Sequence, residues 1–308
     1  MTLHITQADF LALIQDYGRY GYQHMGVTTG GPLDEHAFLW ANYLLENHYN
    51  DAQIEISYGA FSAVFTEPTV MAICGADLLA TLNGQAISSW HTYKVSAGDE
   101  IRFVRPVAGL RCYLAVKGGF SVAQQVSSCS TVMRENIGGL EKNGNKLVKN
   151  NRVAYVASHA HVSRRVPAQF VPHYTADVVV RYIPNVLFSP LDQQAQQLFS
   201  QQTYTVTQTI DRMAYRLSGE PLNVQAVSIM SHGVSLGAIQ IPPNGQPIVL
   251  MKDHQTMGGY PLLGCVAYLD IAVLAQTAPN ATVSFVAVDV ADVEAELIAY
   301  KRFFNIRF

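Results

Sequence analysis

Charge is scarce in this chain. Asp, Glu, Lys and Arg make up 14% of its 308 residues, the formal net charge is -3, and the basic residues are scattered rather than gathered into a stripe. A protein that grips a phosphate backbone needs a basic face, so no nucleic-acid partner is expected. Cysteine is sparse as well: Cys74, Cys112, Cys129 and Cys265 lie far apart, without Cys-x-x-Cys spacing, each in or beside an apolar run. That pattern predicts buried free thiols rather than disulfides or zinc ligation. No stretch has the apolar length needed to span a bilayer, and Met1 to Phe10 contains Asp9 but no basic n-region followed by an apolar h-region. A cytoplasmic protein with no membrane partner is therefore expected.

Common catalytic signatures are missing too. There is no Rossmann fingerprint and no His-Glu-x-x-His. Gly139 and Gly144 have the spacing of a P-loop, but Asn145 intervenes before Lys146 and no Ser or Thr follows it. His159 and His161 would share a strand face without further ligands nearby, so no metal site is predicted.

What is present is apolar and strand-like. Hydrophobic residues make up 49% of the chain, enough for a large core in two lobes or one large β-rich unit. Short β-branched or aromatic runs at 54–56, 62–65, 69–73, 111–116, 153–156, 178–183 and 282–288 are punctuated by Gly, Asn or Pro. Asn83-Gly84 between Leu79–Leu82 and Ala86-Ile87 predicts a tight hairpin. Helices are few: one opening at Pro32-Leu-Asp-Glu35, one with Ser189-Pro190 as its cap and first position, and two more near Asp270–Gln276 and Val290–Phe304. Ser163 to Pro172, with two prolines and adjacent arginines, is the best linker.

Three clusters carry the chemistry. Gly237 to Pro261 sets apolar Ile239, Ile241, Ile248, Val249 and Leu250 against Asp253, His254, Gln255, Thr256 and Tyr260, beside Gly258 and Gly259. The competing account is a polar hairpin tip. Asp16 to Asp34 combines charges, aromatics and glycines ahead of the first helix, where anions are stabilised. Its simpler accounts are an Asp16 to Arg19 ion pair and Asp34 as a helix cap. In Asp211 to Leu217, strand alternation would put Arg212 and Arg216 on one face, suited to a carboxylate or phosphate, with surface ion pairing as the alternative.

The ordered segments Asp16-Tyr-Gly-Arg-Tyr-Gly-Tyr22, Gly31-Pro-Leu-Asp34, Ala41-Asn-Tyr-Leu-Leu45, Gly75-Ala-Asp77, Tyr113–Phe120, Asp211–Leu217 and Gly237–Pro261 cover nearly the whole chain. Together they resemble the family named for allophanate hydrolase subunit 2, also described as the biotin-dependent carboxyltransferase family or as the family of the 5-oxoprolinase C subunit. The family pattern usually has Gly, Thr, Gly and Pro where this chain has Ala214, Met257, Ser127 and Ala123, and Gly-Asp where it has Asn150-Asn151.

The resemblance implies a mainly β fold of two cyclophilin-like β-barrel lobes with a few short helices, spanning 1–165 and 166–308. It also implies a companion subunit of the allophanate hydrolase subunit 1 or KipI-like family and a third 5-oxoprolinase subunit. The leading expectation is a subunit of an ATP-dependent 5-oxoprolinase acting on a small lactam, with ATP bound here or shared with a partner. The alternatives are a carboxyltransferase component using carboxybiotin on a partner to act on urea or another amide, and a non-enzymatic KipA-like regulator that binds a kinase-inhibitor protein. In the leading reading Asp34, Asp253, Gln255 and Tyr260 are the catalytic candidates, with Asp253 or Asp34 handling proton transfer. Arg19, Arg212, Arg216, His232 and Thr256 hold the substrate anion, and the Gly258 and Gly259 amides steady developing negative charge.

Overall fold

The computed structural model describes residues 1–160, 163–185, 193–223 and 230–306. Two compact units divide the chain: Met1–Tyr20 with Gly30–Tyr174, and Gly21–Thr29 with Thr175–Phe308. The break expected at 165/166 thus falls at 174/175, and residues 21–29 join the second unit. The cause is local. The stretch read as a linker is strapped to the first unit: Val166 N donates to Trp90 O at 3.0 Å, the His36 ring lies 2.8 Å from Phe170 O, and the Phe170 and Trp40 rings are 5.2 Å apart.

In the first unit the strands run β1 (Thr2–Ala8), β2 (Ala12–Gln15), β3 (Gln53–Ser57), β4 (Phe61–Phe65), β5 (Thr69–Asp77), β6 (Thr81–Leu82), β7 (Gln85–Ala86), β8 (His91–Val95), β9 (Glu100–Phe103), β10 (Ala108–Val116) and β11 (Arg152–Ala154). One sheet has the order β11-β1-β4-β9-β6-β7 and the other β2-β3-β10-β5-β8. Alternation explains the first sheet: on β9, Ile101 and Phe103 bury while Glu100 and Arg102 face out. The central strands of the second, β5 and β10, are buried almost throughout, because α1 (Glu35–Leu44) packs on them from the side away from the shared core. That core joins both sheets through Leu3, Ile5, Phe61, Phe65, Ile54, Ile73 and Leu114. The predicted hairpin is β6–β7, where Leu82 pairs with Gln85 and Asn83 and Gly84 take φ of 52° and 77°, both positive as a type I′ turn requires.

The second unit holds β12 (Asp177–Pro184), α2 (Gln193–Gln201), β13 (Thr203–Ile210), β14 (Ala214–Ser218), β15 (His232–Gly233), β16 (Ala238–Gln240), β17 (Ile248–Leu250), β18 (Met257–Gly258), β19 (Leu262–Val266), α3 (Asp270–Ala275), β20 (Thr282–Ala287) and α4 (Val290–Phe303). Seven strands close a barrel in the order β12-β19-β16-β17-β14-β13-β20, sealed by the parallel β12–β20 pair, and β15 pairs with β18 outside it. Closure leaves the seven-stranded sheet without a bare edge. Aromatic rings cluster in this unit, with Phe199 and Phe285 centroids 4.6 Å apart and Tyr182 and Tyr204 packed around them. The Ser189-Pro190 cap falls outside the described residues; the helix it was expected to open is seen as α2. Among the described residues no helix is long and apolar enough to cross a membrane.

Burial sets the reactivity of the thiols. It raises Cys74 and Cys129 well above the ordinary thiol range and pushes Cys112 up to about 12. Cys265 is only half-buried and its thiol is raised less far. In the folded protein near pH 8, Cys265 is therefore expected to react first with a thiol reagent, and the other three only on unfolding; mass mapping of labelled peptides against denaturant checks this order.

Candidate functional site

The segment around Arg212 is shaped by the residue before it. Asp211 Oδ1 accepts from the amides of Met213 at 2.7 Å and Ala214 at 2.9 Å, and Asp211 N donates to Ala214 O at 3.1 Å. An Asp that caps its own turn in this way ends the strand, and β13 stops at Ile210. Arg212 consequently lies in the turn rather than in β14, and the alternation expected from 211 to 217 does not apply to it. Arg212 is buried, whereas Arg216 is exposed with Nη1 3.4 Å from Thr209 O. The two guanidinium groups do not form the expected pair.

Arg212 instead meets Asp253. Its Nε donates to Oδ2 at 2.8 Å and its Nη2 to Oδ1 at 2.9 Å, with both residues 5% exposed or less. Backbone bonds reinforce the contact, from Asp253 N to Arg212 O and from Met251 N to Met213 O, each 2.8 Å. Both carboxylate oxygens are thus held by one guanidinium edge, which makes Asp253 the neutralising partner of Arg212 rather than an open base, and commits that edge of Arg212 to Asp253 rather than to an anion.

The following residues turn inward as well. Lys252 is buried, with Nζ 3.4 Å from the Tyr268 hydroxyl and 5.2 Å from the centre of its ring. His254 is buried; its Nδ1 lies 2.7 Å from Gln255 O, and its carbonyl accepts from Thr28 Oγ1 at 3.1 Å. A carbonyl only accepts, so in the neutral ring Nδ1 carries the proton and Nε2 is the acceptor.

Pairing of β15 with β18 sets His232 opposite Gly258, and Val234 N donates to Thr256 O at 3.1 Å. Gly258 lies close against the Gln240 side chain, whose end would have to shift to admit a larger residue. A Cβ there would stand 2.5 Å from Gln240 Nε2, 3.2 Å from Val234 Cγ1 and 3.6 Å from Gln255 Nε2. Thr256 and Gln255 are half-buried, while Gly259 and Tyr260 are exposed. The structure thus joins Arg212 to Asp253 and groups Gln255, Gly258 and His232, and it leaves Arg216 on the surface.

Sequence reasoning overlooked Gln240 and Lys252. Both carried a signal: Gln240 is the polar member of the apolar run Ala238–Ile241, and Lys252 follows Ile-Val-Leu-Met directly.

In the first unit, Arg19 and Asp34 are held by other work. Arg19 is fully buried and donates from Nε to Gln125 O at 3.2 Å and from Nη2 to Ser128 O at 3.3 Å and Ser130 O at 2.5 Å. Asp16 accepts from Ser128 Oγ at 2.5 Å, Cys129 N at 2.7 Å, Ser130 Oγ at 2.7 Å and Gly18 N at 3.1 Å. Together they staple residues 16–19 to 125–130, so Arg19 is a structural tie and not the anion clamp expected of it. Asp34 caps α1: Oδ1 accepts from Ala37 N at 2.9 Å and Oδ2 from the Tyr174 hydroxyl at 3.0 Å. Burial, then the Asp34 charge, raises the Tyr174 phenol well above its usual range, which keeps it a neutral donor. With both oxygens engaged and 1% exposure, Asp34 fits the helix-cap account rather than proton transfer.

The buried pair makes a stability prediction. Asp253→Leu alone strands a guanidinium and is expected to cost about 3–5 kcal/mol, while adding Arg212→Met should recover most of that loss. Urea unfolding of both single variants and the double variant checks it; additive losses would contradict the coupling.

Residues 25–287 match the family model described as carboxyltransferase domain, subdomain A and B. The chain is 33% identical to the 5-oxoprolinase C subunit of Haemophilus influenzae over 282 residues, covering 91% of this chain and 89% of that protein. It is 34% identical to the 5-oxoprolinase C subunit of Escherichia coli over 285 residues, covering 92% and 90%. The solved structure of Kluyveromyces lactis urea carboxylase shares its fold with a TM-score of 0.91 at 23% identity, over 98% of this chain and 29% of that one. With nine-tenths of its length matched to named members and the mainly β fold reproduced, this chain belongs to the carboxyltransferase domain, subdomain A and B, family.

Proposed function

We propose that this chain is the C subunit of an ATP-dependent 5-oxoprolinase, which opens the lactam of 5-oxoproline with ATP and water to give glutamate, ADP and phosphate. The observation that carries the reading is the match along nine-tenths of both chains to two proteins of that name. A lactam carbonyl is a poor electrophile. Transfer of the terminal phosphoryl group of ATP to the lactam oxygen makes the ring carbon electrophilic; one water adds to that carbon and the ring C–N bond breaks, the nitrogen taking a proton, to leave γ-glutamyl phosphate, and a second water cleaves this acyl phosphate to glutamate and phosphate. Companion subunits, of the allophanate hydrolase subunit 1 or KipI-like type and a third type, complete the assembly.

In this reading ATP is held by the companions. The run with P-loop spacing, 139–146, leads into no helix among the described residues, and the Lys146 ammonium is turned to the carbonyls of Asp9 at 3.5 Å and Phe10 at 3.4 Å. This chain contributes positioning. The Arg212–Asp253 pair fixes the path of residues 252–258, and the half-buried Gln255 and the crowded Gly258 present polar groups to substrate beside His232. The family description supports a second reading, carboxyl transfer from carboxybiotin on a partner to an amide or urea.

The test is ATP turnover by the protein purified with its companion subunits, with and without 5-oxoproline. Release of ADP stimulated by 5-oxoproline, matched by glutamate, is expected, and Asp253→Ala should lower it about 10-fold or more, which is ~1.4 kcal/mol in the barrier. Absence of stimulation would overturn the reading. A biotinylated protein detected with streptavidin in the same complex would then favour carboxyl transfer.

A further inference from the structure

The first unit carries a cleft that the proposed function does not use. It opens to solvent on the outer face of the sheet β11-β1-β4-β9-β6-β7, with a volume of about 450 Å³. That lies within the range of small-molecule sites, roughly 300–1,000 Å³. Register builds its floor: Gln7 of β1 stands opposite Ser62 of β4, and Ser62 opposite Arg102 of β9. The β1–β4 register shifts between Ile5 and Gln7, which leaves Thr6 as the extra residue and sets its hydroxyl 2.7 Å from Ser62 Oγ. Lys149 is the second residue of a turn closed by Asn151 N donating to Val148 O at 3.1 Å. Asn150 N donates to Ile5 O at 2.8 Å and pins that turn beside the bulge.

Asp9, Glu100, Arg102 and Lys149 line the cleft, two charges of each sign. They are not spent on one another, since no ion pair joins them among the described residues. Asp9 Oδ2 accepts from Gln7 Nε2 at 2.6 Å; the charged ends of Glu100, Arg102 and Lys149 make no hydrogen bond among those residues. The Thr6 and Ser62 hydroxyls share a single hydrogen bond, so one of their two hydrogens is left for an acceptor in the cleft. A cation stands to either side of that hydroxyl pair, Arg102 on β9 and Lys149 in the turn leading to β11. The acids lie along the strands, Glu100 two residues before Arg102 and Asp9 just past the end of β1. Uncommitted cations with a hydroxyl donor suit a carboxylate, and the acids suit an ammonium. A free anion or a free cation would meet repulsion here as well as attraction, whereas a ligand that bears both signs is matched throughout.

We propose that this cleft binds a free α-amino acid as its zwitterion, with the carboxylate between Arg102 and Lys149 over the Thr6 and Ser62 hydroxyls and the ammonium against Glu100 or Asp9. The groups are carried on paired strands or on backbone that is itself hydrogen-bonded, including Asp9, whose N donates to Ala60 O at 3.1 Å, so the site is held in place without its ligand. Its openness to solvent keeps each charge contact weak, and the expected dissociation constant is about 1–10 mM. The site uses none of the residues assigned to substrate in the second unit and does not rest on the function proposed for them.

The full chain is titrated by saturation-transfer NMR at low ionic strength with L-alanine, with acetate, which lacks the ammonium, and with methylammonium, which lacks the carboxylate. L-alanine should saturate, and each half-ligand should bind about 5-fold or more weakly. Arg102→Gln, Lys149→Gln and Glu100→Gln should each weaken L-alanine binding about 3-fold or more. Their thermal midpoints should match that of the unaltered chain, because all three side chains are exposed. Lys94→Gln, an exposed lysine on β8 that does not line the cleft, should leave binding unchanged. The proposal is overturned if L-alanine does not saturate by about 50 mM. It is overturned equally if acetate binds as tightly as L-alanine, which would make the cleft a simple anion site, or if Arg102→Gln and Lys149→Gln bind L-alanine no more weakly than Lys94→Gln does.

Discussion

Two opposite charges buried together, Arg212 and Asp253, are the constraint on which the polar segment of the barrel unit depends. Removing both from water is unfavourable, and the pair persists because the guanidinium fork satisfies both carboxylate oxygens at 2.8 and 2.9 Å. The same geometry ties the turn after β13 to the end of β17, so the chain leaving β17 has a defined course through Lys252 and His254. An ion pair of this kind contributes position more than stability. It holds residues 252–258, where Gly258 packs against the Gln240 amide.

Seen across the molecule, most buried polar groups named here are satisfied. Asp16 accepts four hydrogen bonds, and Arg19 donates to three carbonyls. Glu55 accepts from both Leu33 N and the Tyr113 hydroxyl, and burial followed by the Glu55 charge raises that phenol well above its usual range. Such saturated networks rigidify a fold and offer little to a ligand. Buried amide atoms without a hydrogen-bond partner among the described residues, including Gln15 Oε1, Gln53 Oε1 and Gln240 Nε2, depart from that pattern.

Several departures from the family pattern leave the backbone intact. Asn150 stands in the left-handed region with φ of 73°, which Asn adopts more readily than other residues with a Cβ, and Asn151 Oδ1 accepts from Val148 N at 2.8 Å as a carboxylate would. Ser127 at φ 60° takes a conformation that favours glycine and carries the strain of it. Ala214 is buried opposite Leu250, so its extra methyl packs against the barrel rather than distorting it. Met257 is largely exposed and alters the surface beside Gly258.

The legible part of this protein was the part set by near neighbours. The β-branched run 178–183 marked β12, Asn83-Gly84 marked its hairpin because both residues accept positive φ, and the Asp34 cap marked α1 because its partner is three residues away. Side-chain partners across the fold were not legible. Arg212 looked like half of an anion clamp until a turn made by Asp211 sent it to Asp253, 41 positions on, and Arg19 looked like an anion-binding residue until carbonyls more than 100 positions away enclosed it. The sequence by itself determined the β-rich class, the principal helices and the family. Only the tertiary structure decided which charges are spent on each other and which buried polar groups find partners, because local backbone preference acts over a few residues, whereas the pairing of a buried polar group depends on whatever distant strand closes over it.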